Sequence, residues 1–96
     1  MKDAMKNELL EDDPKFETRQ YSVQEKEMML SYMKSFDAFC IGGLVFDCVL
    51  RDSVHIENKS YSDGEYLWCE QDMYHLDKYN AAVTDDFFDH VMKNSQ

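Results

Sequence analysis

Two adjacent glycines, Gly42 and Gly43, interrupt the most apolar stretch of this 96-residue chain, residues 39–50. A helix through both would sit on two of the poorest helix formers in succession, each about 1 kcal/mol worse than alanine. Short apolar runs on either side of paired glycines read instead as strands, joined by a hairpin turn or re-aimed by a bulge. Residues 44–50 then make the best central strand, with a turn at 51–53 and a second strand at 54–57. Polar residues 58–60 loosen the pattern, and Asp63-Gly64 signals a turn before a third strand at 65–68.

Helical signals flank this block. Ser22 and Glu25 form the S-x-x-E spacing of a capping box, predicting a helix from there to about Phe36. Its apolar stripe is Met29, Leu30, Met33 and Phe36, with Val23 one heptad before Leu30. Methionines at this spacing read as adaptable core. From Cys69 the period again becomes helical, with Cys69, Met73 and Leu76 on one face and Glu70, Tyr74 and Asp77 on another. Asn80 suits a left-handed C-cap, and Thr84 an N-cap with Asp85 and Asp86 in the first turn, where the helix dipole favours anions. Phe87, Phe88, Val91 and Met92 form the last apolar stripe. Met5 and Leu9 hint at a helix that Pro14 would end, after the acidic run Glu11, Asp12 and Asp13. The expected architecture is α+β, a small antiparallel sheet packed with three to four helices over residues 15–96. Residues 1–14 form an acidic arm, expected to be partly mobile.

Twenty acidic against ten basic residues give a formal charge of −10. That balance disfavours direct binding to nucleic acid phosphate and favours basic partners. At 44% hydrophobic and 14% aromatic, the chain is too rich in core-forming residues for a disordered acidic tail. The field is uneven, with 9 acids and 3 bases in residues 54–96 against 11 and 7 before them. No apolar run approaches the roughly 18 residues of a membrane span, and the first 14 residues lack a secretory apolar region, so a cytoplasmic location and no membrane partner are expected. Three cysteines, Cys40, Cys48 and Cys69, are an odd number without close C-x-x-C pairing, and His55, His75 and His90 complete no compact ligand motif. Reduced cysteines, no metal and no cofactor are expected.

Catalysis finds little support. Asp63 with Glu65, or Glu70 with Asp72, pair carboxylates without a supporting constellation. Gly42-Gly43 lacks the lysine and hydroxyl of a phosphate-binding loop. Asp47 would raise rather than lower the pKa of a thiol at Cys48. An enzyme is therefore not expected.

The informative segment for function is residues 61–92, where Tyr61, Tyr66, Trp68, Tyr74 and Tyr79 alternate with Asp63, Glu65, Glu70, Asp72 and Asp77. Tyrosine and tryptophan are strong interface anchors, while rim carboxylates govern association rate and salt dependence. The candidate partner-binding residues are Asp63, Glu65, Glu70, Asp72, Tyr74, Asp77, Asp85, Asp86 and Asp89. Trp68, Met73, Leu76, Phe87, Phe88, Val91 and Met92 are assigned to the core.

The succession YSDGEYLW, EQDMYHLDKYN and DDFFDHVM resembles a recurrent C-terminal pattern of small bacterial proteins. In size and acidity the whole chain resembles immunity proteins of bacterial contact-dependent and polymorphic toxin systems. That resemblance implies stoichiometric neutralisation of a cognate toxin, often a basic nuclease, with carboxylates meeting Arg and Lys around its nucleic-acid groove. Two other readings remain: a DNA mimic that inhibits restriction or defence nucleases, and a non-enzymatic interaction module that forms a homodimer through an exposed apolar patch.

Overall fold

A computed structural model describes residues 1–6, 17–47 and 51–94. In chain order the elements are β1 (Lys2–Asp3), α1 (Val23–Lys34), β2 (Cys40–Asp47), β3 (Arg51–Ser62), β4 (Tyr66–Cys69), α2 (Glu70–Tyr79) and α3 (Asp85–Asn94). The four strands form one sheet in the order β1-β4-β3-β2. This is the expected α+β class. The sheet is mixed, however, because β1 lies parallel to β4 while the other pairs are antiparallel.

Residues 1–6 depart most from expectation, because Lys2–Asp3 is a strand. Lys2 N–H donates to the Glu65 carbonyl and Ala4 N–H to that of Leu67, both at 3.0 Å. Beyond β1, Met5 bridges Val83, and Thr18 bridges Ala81 on the other side of the connector between α2 and α3. Ala4, Met5, Ala81, Ala82 and Val83 are all buried, so this connector is a core element held from two sides. Leu9, the acidic run at 11–13 and Pro14 lie outside the described residues.

The glycines mark a bulge inside β2 and not the end of a strand. Register shifts between Ile41 and Leu44, so that residues 42 and 43 oppose Asn58 alone. A Cβ on Gly42 would meet the Asn58 side chain at 3.2 Å, which explains glycine there. β2 is also the sheet edge rather than its centre. β3 takes the central role and runs unbroken through the positions where a turn and a loosened segment were expected. Polar Ser60 is accommodated because its backbone pairs on both sides, with Cys40 of β2 and Cys69 of β4.

The helices follow their capping residues. Ser22 Oγ accepts from Glu25 N–H at 3.1 Å and Glu25 Oε1 from Ser22 N–H at 2.8 Å, the two halves of the capping box. Asn80 closes α2 in the left-handed region at φ 57° and ψ 42°. Thr84 Oγ1 accepts from Phe87 N–H at 3.2 Å and caps α3. The core joins Met29 and Met33 of α1, Tyr61, Tyr66 and Trp68 of the sheet, Met73 and Leu76 of α2, and Phe87 and Val91 of α3. Val23 is exposed, so the α1 stripe begins later than its spacing suggested.

Removing either half of the Ser22 box leaves a helix-terminal N–H without its partner. Ser22→Ala should lower unfolding free energy by about 1 kcal/mol in urea denaturation with an unchanged m-value. An effect below a few tenths of that figure would show that the cap adds nothing to the fold.

Candidate functional site

Four of the six tyrosines, Tyr32, Tyr61, Tyr74 and Tyr79, donate their hydroxyl to a carboxylate of this same chain. The alternation of aromatic and acidic residues is thus largely an internal bonding pattern. Asp63 by itself meets four groups. It occupies the turn between β3 and β4, where Gly64 takes a φ of 100° open to glycine at no steric cost. Asp63 Oδ1 accepts from Glu65 N–H at 2.9 Å and Tyr66 N–H at 2.8 Å, closing the turn. Asp63 Oδ2 accepts from Tyr32 Oη at 2.6 Å and meets His90 Nε2 at 2.8 Å. Since an ionised carboxylate only accepts, this geometry places a proton on Nε2.

Burial alone would raise the Asp63 pKa, but these bonds outweigh it and hold the carboxyl at about 2. Burial, then the bond to Asp63, pushes the Tyr32 phenol above its usual range. The Asp63 side chain is 3% exposed. It is therefore an interior tie between α1, α3 and the β3–β4 turn, not a point of the partner surface expected from sequence.

The same correction applies, less completely, to three other candidates. Glu70 Oε2 accepts from Tyr61 Oη at 2.6 Å, and burial together with that carboxylate pushes the tyrosine up to about 12. Asp72 Oδ2 accepts from Cys69 N–H at 3.0 Å and from the thiol at 3.1 Å, at the start of α2. Burial raises the Asp72 pKa, and burial with the adjacent carboxylate raises the Cys69 thiol to about 12, so it holds its proton at neutral pH. Tyr74 Oη donates to Asp47 Oδ2 at 2.8 Å, beside a second donor, Tyr79 Oη, at 2.7 Å. Lys78 lies over both rings, 5.6 and 5.9 Å from their centroids.

Asp47, which the sequence singles out only as the neighbour of Cys48, is a structural residue. It is fully buried at the end of an apolar strand. An acid in such a run needs donors from elsewhere in the fold, and two tyrosines on α2 supply them. Cys48, next to it in sequence, lies outside the described residues.

Five candidates remain at the surface: Glu65, Asp77, Asp85, Asp86 and Asp89. Asp85, Asp86 and Asp89 project from α3, where Asp85 and Asp89 are one turn apart. Glu65 reaches the same neighbourhood, its Oε2 lying 3.7 Å from His90 Nδ1. Asp85 pairs with Arg19 at 3.1 Å, and the Arg19 guanidinium covers the rings of Tyr21 and Phe88. Asp77 stands apart on α2, where its carbonyl accepts from Lys26 Nζ at 2.7 Å. The surface consists of an α3 ridge extended by Glu65, with Asp77 separate from it. Among the described residues no cluster of three or more His, Cys, Asp or Glu side chains could hold a metal ion, and no helix is long and apolar enough to cross a membrane.

Two interior groups weaken the fold in acid, against the raised Asp72 pKa, which favours it as pH falls. Burial depresses the His75 pKa against the opposing pull of Asp47, so the unfolded chain binds protons first as pH falls below about 6.5, and stability declines from there. The depressed Asp63 pKa contributes stability that is complete above about 4 and lost as pH falls towards about 2. Replacing Asp63 with Asn should abolish the second decline in a pH series of urea midpoints while leaving the first. A series with the same slope in both proteins would contradict the assignment.

Comparison with protein-family models, with curated proteins and with solved structures finds no match to this chain. The functional reading accordingly rests on the chemistry of the residues left at the surface.

Proposed function

We propose that the protein is an immunity-type inhibitor that binds and neutralises a basic bacterial toxin, with the α3 ridge of Asp85, Asp86 and Asp89 and the adjoining Glu65 as its contact face. The observation that carries this reading is selective exposure. While Asp47 and Asp63 are taken into the interior by tyrosine hydroxyls, Asp86 and Asp89 stand exposed on one short helix, next to exposed Glu65. Carboxylates held this way on a rigid element, in a protein of net charge −10, favour fast encounter with a cationic groove. Arg and Lys side chains around a nuclease active site would meet them in charge-assisted hydrogen bonds.

Phe88 supplies an apolar component beside the ridge. It is half-buried, and with Lys6, Arg19, Asp85 and Asp89 it lines a shallow groove. A partner arginine could displace Arg19 from Asp85 there, exchanging one exposed ion pair for another at little net cost. Tyr74, by contrast, is committed to Asp47 and enters this face only as a support for α2.

Co-expression with the toxin encoded beside its own gene should restore growth. Reversing charge in the triple variant Glu65→Lys, Asp86→Lys, Asp89→Lys should slow association with that toxin by at least about tenfold at low salt and flatten the salt dependence. Tyr74→Phe should leave the association rate unchanged. An on-rate insensitive to the triple reversal would remove α3 from the interface, and competition by DNA at several unrelated DNA-binding proteins would favour DNA mimicry instead.

A further inference from the structure

Three of the five exposed large hydrophobic residues among those described gather on one sheet edge, the other two, Met1 and Val23, lying apart from it. Phe39, Ile41 and Leu44 are 60%, 69% and 66% exposed, all within or next to β2. Among the described residues β2 pairs only with β3, and no other strand of that set lies along its outer edge. A long, exposed, apolar edge strand is normally a liability that proteins blunt with charge or proline. Here residues 38–46 are instead the longest uncharged run of the chain and contain no proline.

Read in both directions, the strand nearly repeats itself. Phe39-Cys40-Ile41-Gly42-Gly43-Leu44-Val45-Phe46 places Phe opposite Phe, Cys opposite Val, Ile opposite Leu and Gly opposite Gly about its midpoint. In a two-fold pairing residue i meets residue j of the other copy and j meets i, so a strand that reads alike in both directions sets like against like. Gly43 offers a second clue. Gly43 belongs to the bulge, yet a Cβ there would meet nothing within 4 Å and its φ lies outside the left-handed region, so no contact among the described residues excludes a side chain at that position. Glycine in a strand also marks the close approach of another backbone. The charge at the end of β2 is withdrawn from the edge as well, since Asp47 is buried against Tyr74 and Tyr79.

We infer that two copies of this chain associate through β2, pairing antiparallel about a two-fold axis between Gly42 and Gly43 and joining their sheets into one of eight strands. In this register Ile41 faces Leu44 of the partner subunit, Asp47 faces Ala38, and no acid meets an acid. That feature is decisive for a protein of net charge −10, whose copies repel one another over any acidic approach. Both β2 bulges fall on the axis, where the four glycines carry no side chains. Three partly exposed apolar side chains per copy make a smaller contact than the roughly 800 Å² per partner of a standard interface. The dimer is accordingly weak and its population concentration-dependent. It does not rest on the toxin reading: β2 packs on β3 and α2, whereas α3 packs on α1, so the acidic ridge is outside the paired strands.

Sedimentation equilibrium across a concentration series should show a reversible monomer–dimer equilibrium. Ile41→Lys with Leu44→Lys should shift the dissociation constant at least tenfold upward, with helix content and melting temperature retained because both side chains are already exposed. The register has its own readout. Val45→Cys, oxidised with copper phenanthroline, should yield a disulfide-linked dimer through native Cys40, whereas Leu44→Cys should yield little more than the unsubstituted protein. A chain monomeric up to about 200 μM, a dimer indifferent to the double lysine variant, or equal cross-linking at positions 44 and 45 would each overturn the proposal.

Discussion

The carboxylate of Asp63 ties together three parts of the chain that lie far apart in sequence. Its two oxygens receive the Tyr32 hydroxyl from α1, His90 from α3 and two backbone N–H groups of its own turn. The rings that carry these donors are also core side chains: Tyr32 lies edge-on to Phe36 and Phe87, and Trp68 packs against Phe36 and Phe87 in turn. A single polar atom thus sets the positions of α1 and α3 over the sheet within an otherwise apolar cluster. Such an arrangement is stabilising only when fully bonded, since a buried carboxylate left with one donor missing incurs desolvation without compensation. Asp47 repeats the device at the other end of the sheet, with Tyr74 and Tyr79 as donors.

This use of tyrosine explains how so acidic a small protein can fold. Twenty carboxylates and ten cations leave many acids with no salt-bridge partner to find. A phenol hydroxyl is a neutral donor on a large apolar ring, so it satisfies a carboxylate while adding to the core. It introduces no second charge that would itself need desolvation, as a buried lysine would. The division of acids into those bonded in the interior and those left exposed leaves Glu65, Asp77, Asp85, Asp86 and Asp89 as the candidates at the surface, of which the proposed contact face takes α3 and Glu65.

Local signals are legible in the sequence because their physics is local. The Ser22–Glu25 box, the Asp63-Gly64 turn, the left-handed Asn80 and the Thr84 cap each depend on neighbours within three or four residues, and all stand where their chemistry puts them. The apolar faces of α2 and α3 follow for the same reason. What escaped was pairing across long separations. β1 is two residues long and carries no periodicity, so its parallel alignment on β4 had no trace in composition. β2 looked central because it is apolar, although it is an edge. The tyrosine–carboxylate alternation suggested an outward-facing surface because sequence cannot reveal the direction of a hydroxyl. Asp47 was the one available hint, an acid in an apolar strand that demanded donors from elsewhere.

A double-mutant cycle on Tyr32→Phe and Asp63→Asn tests most directly whether these bonds hold the elements together. The account predicts that each single change destabilises the protein and that the two are coupled by about 1 kcal/mol or more, because each removes the same tie between α1 and the β3–β4 turn. Additive effects, with coupling indistinguishable from zero in urea denaturation, would contradict it.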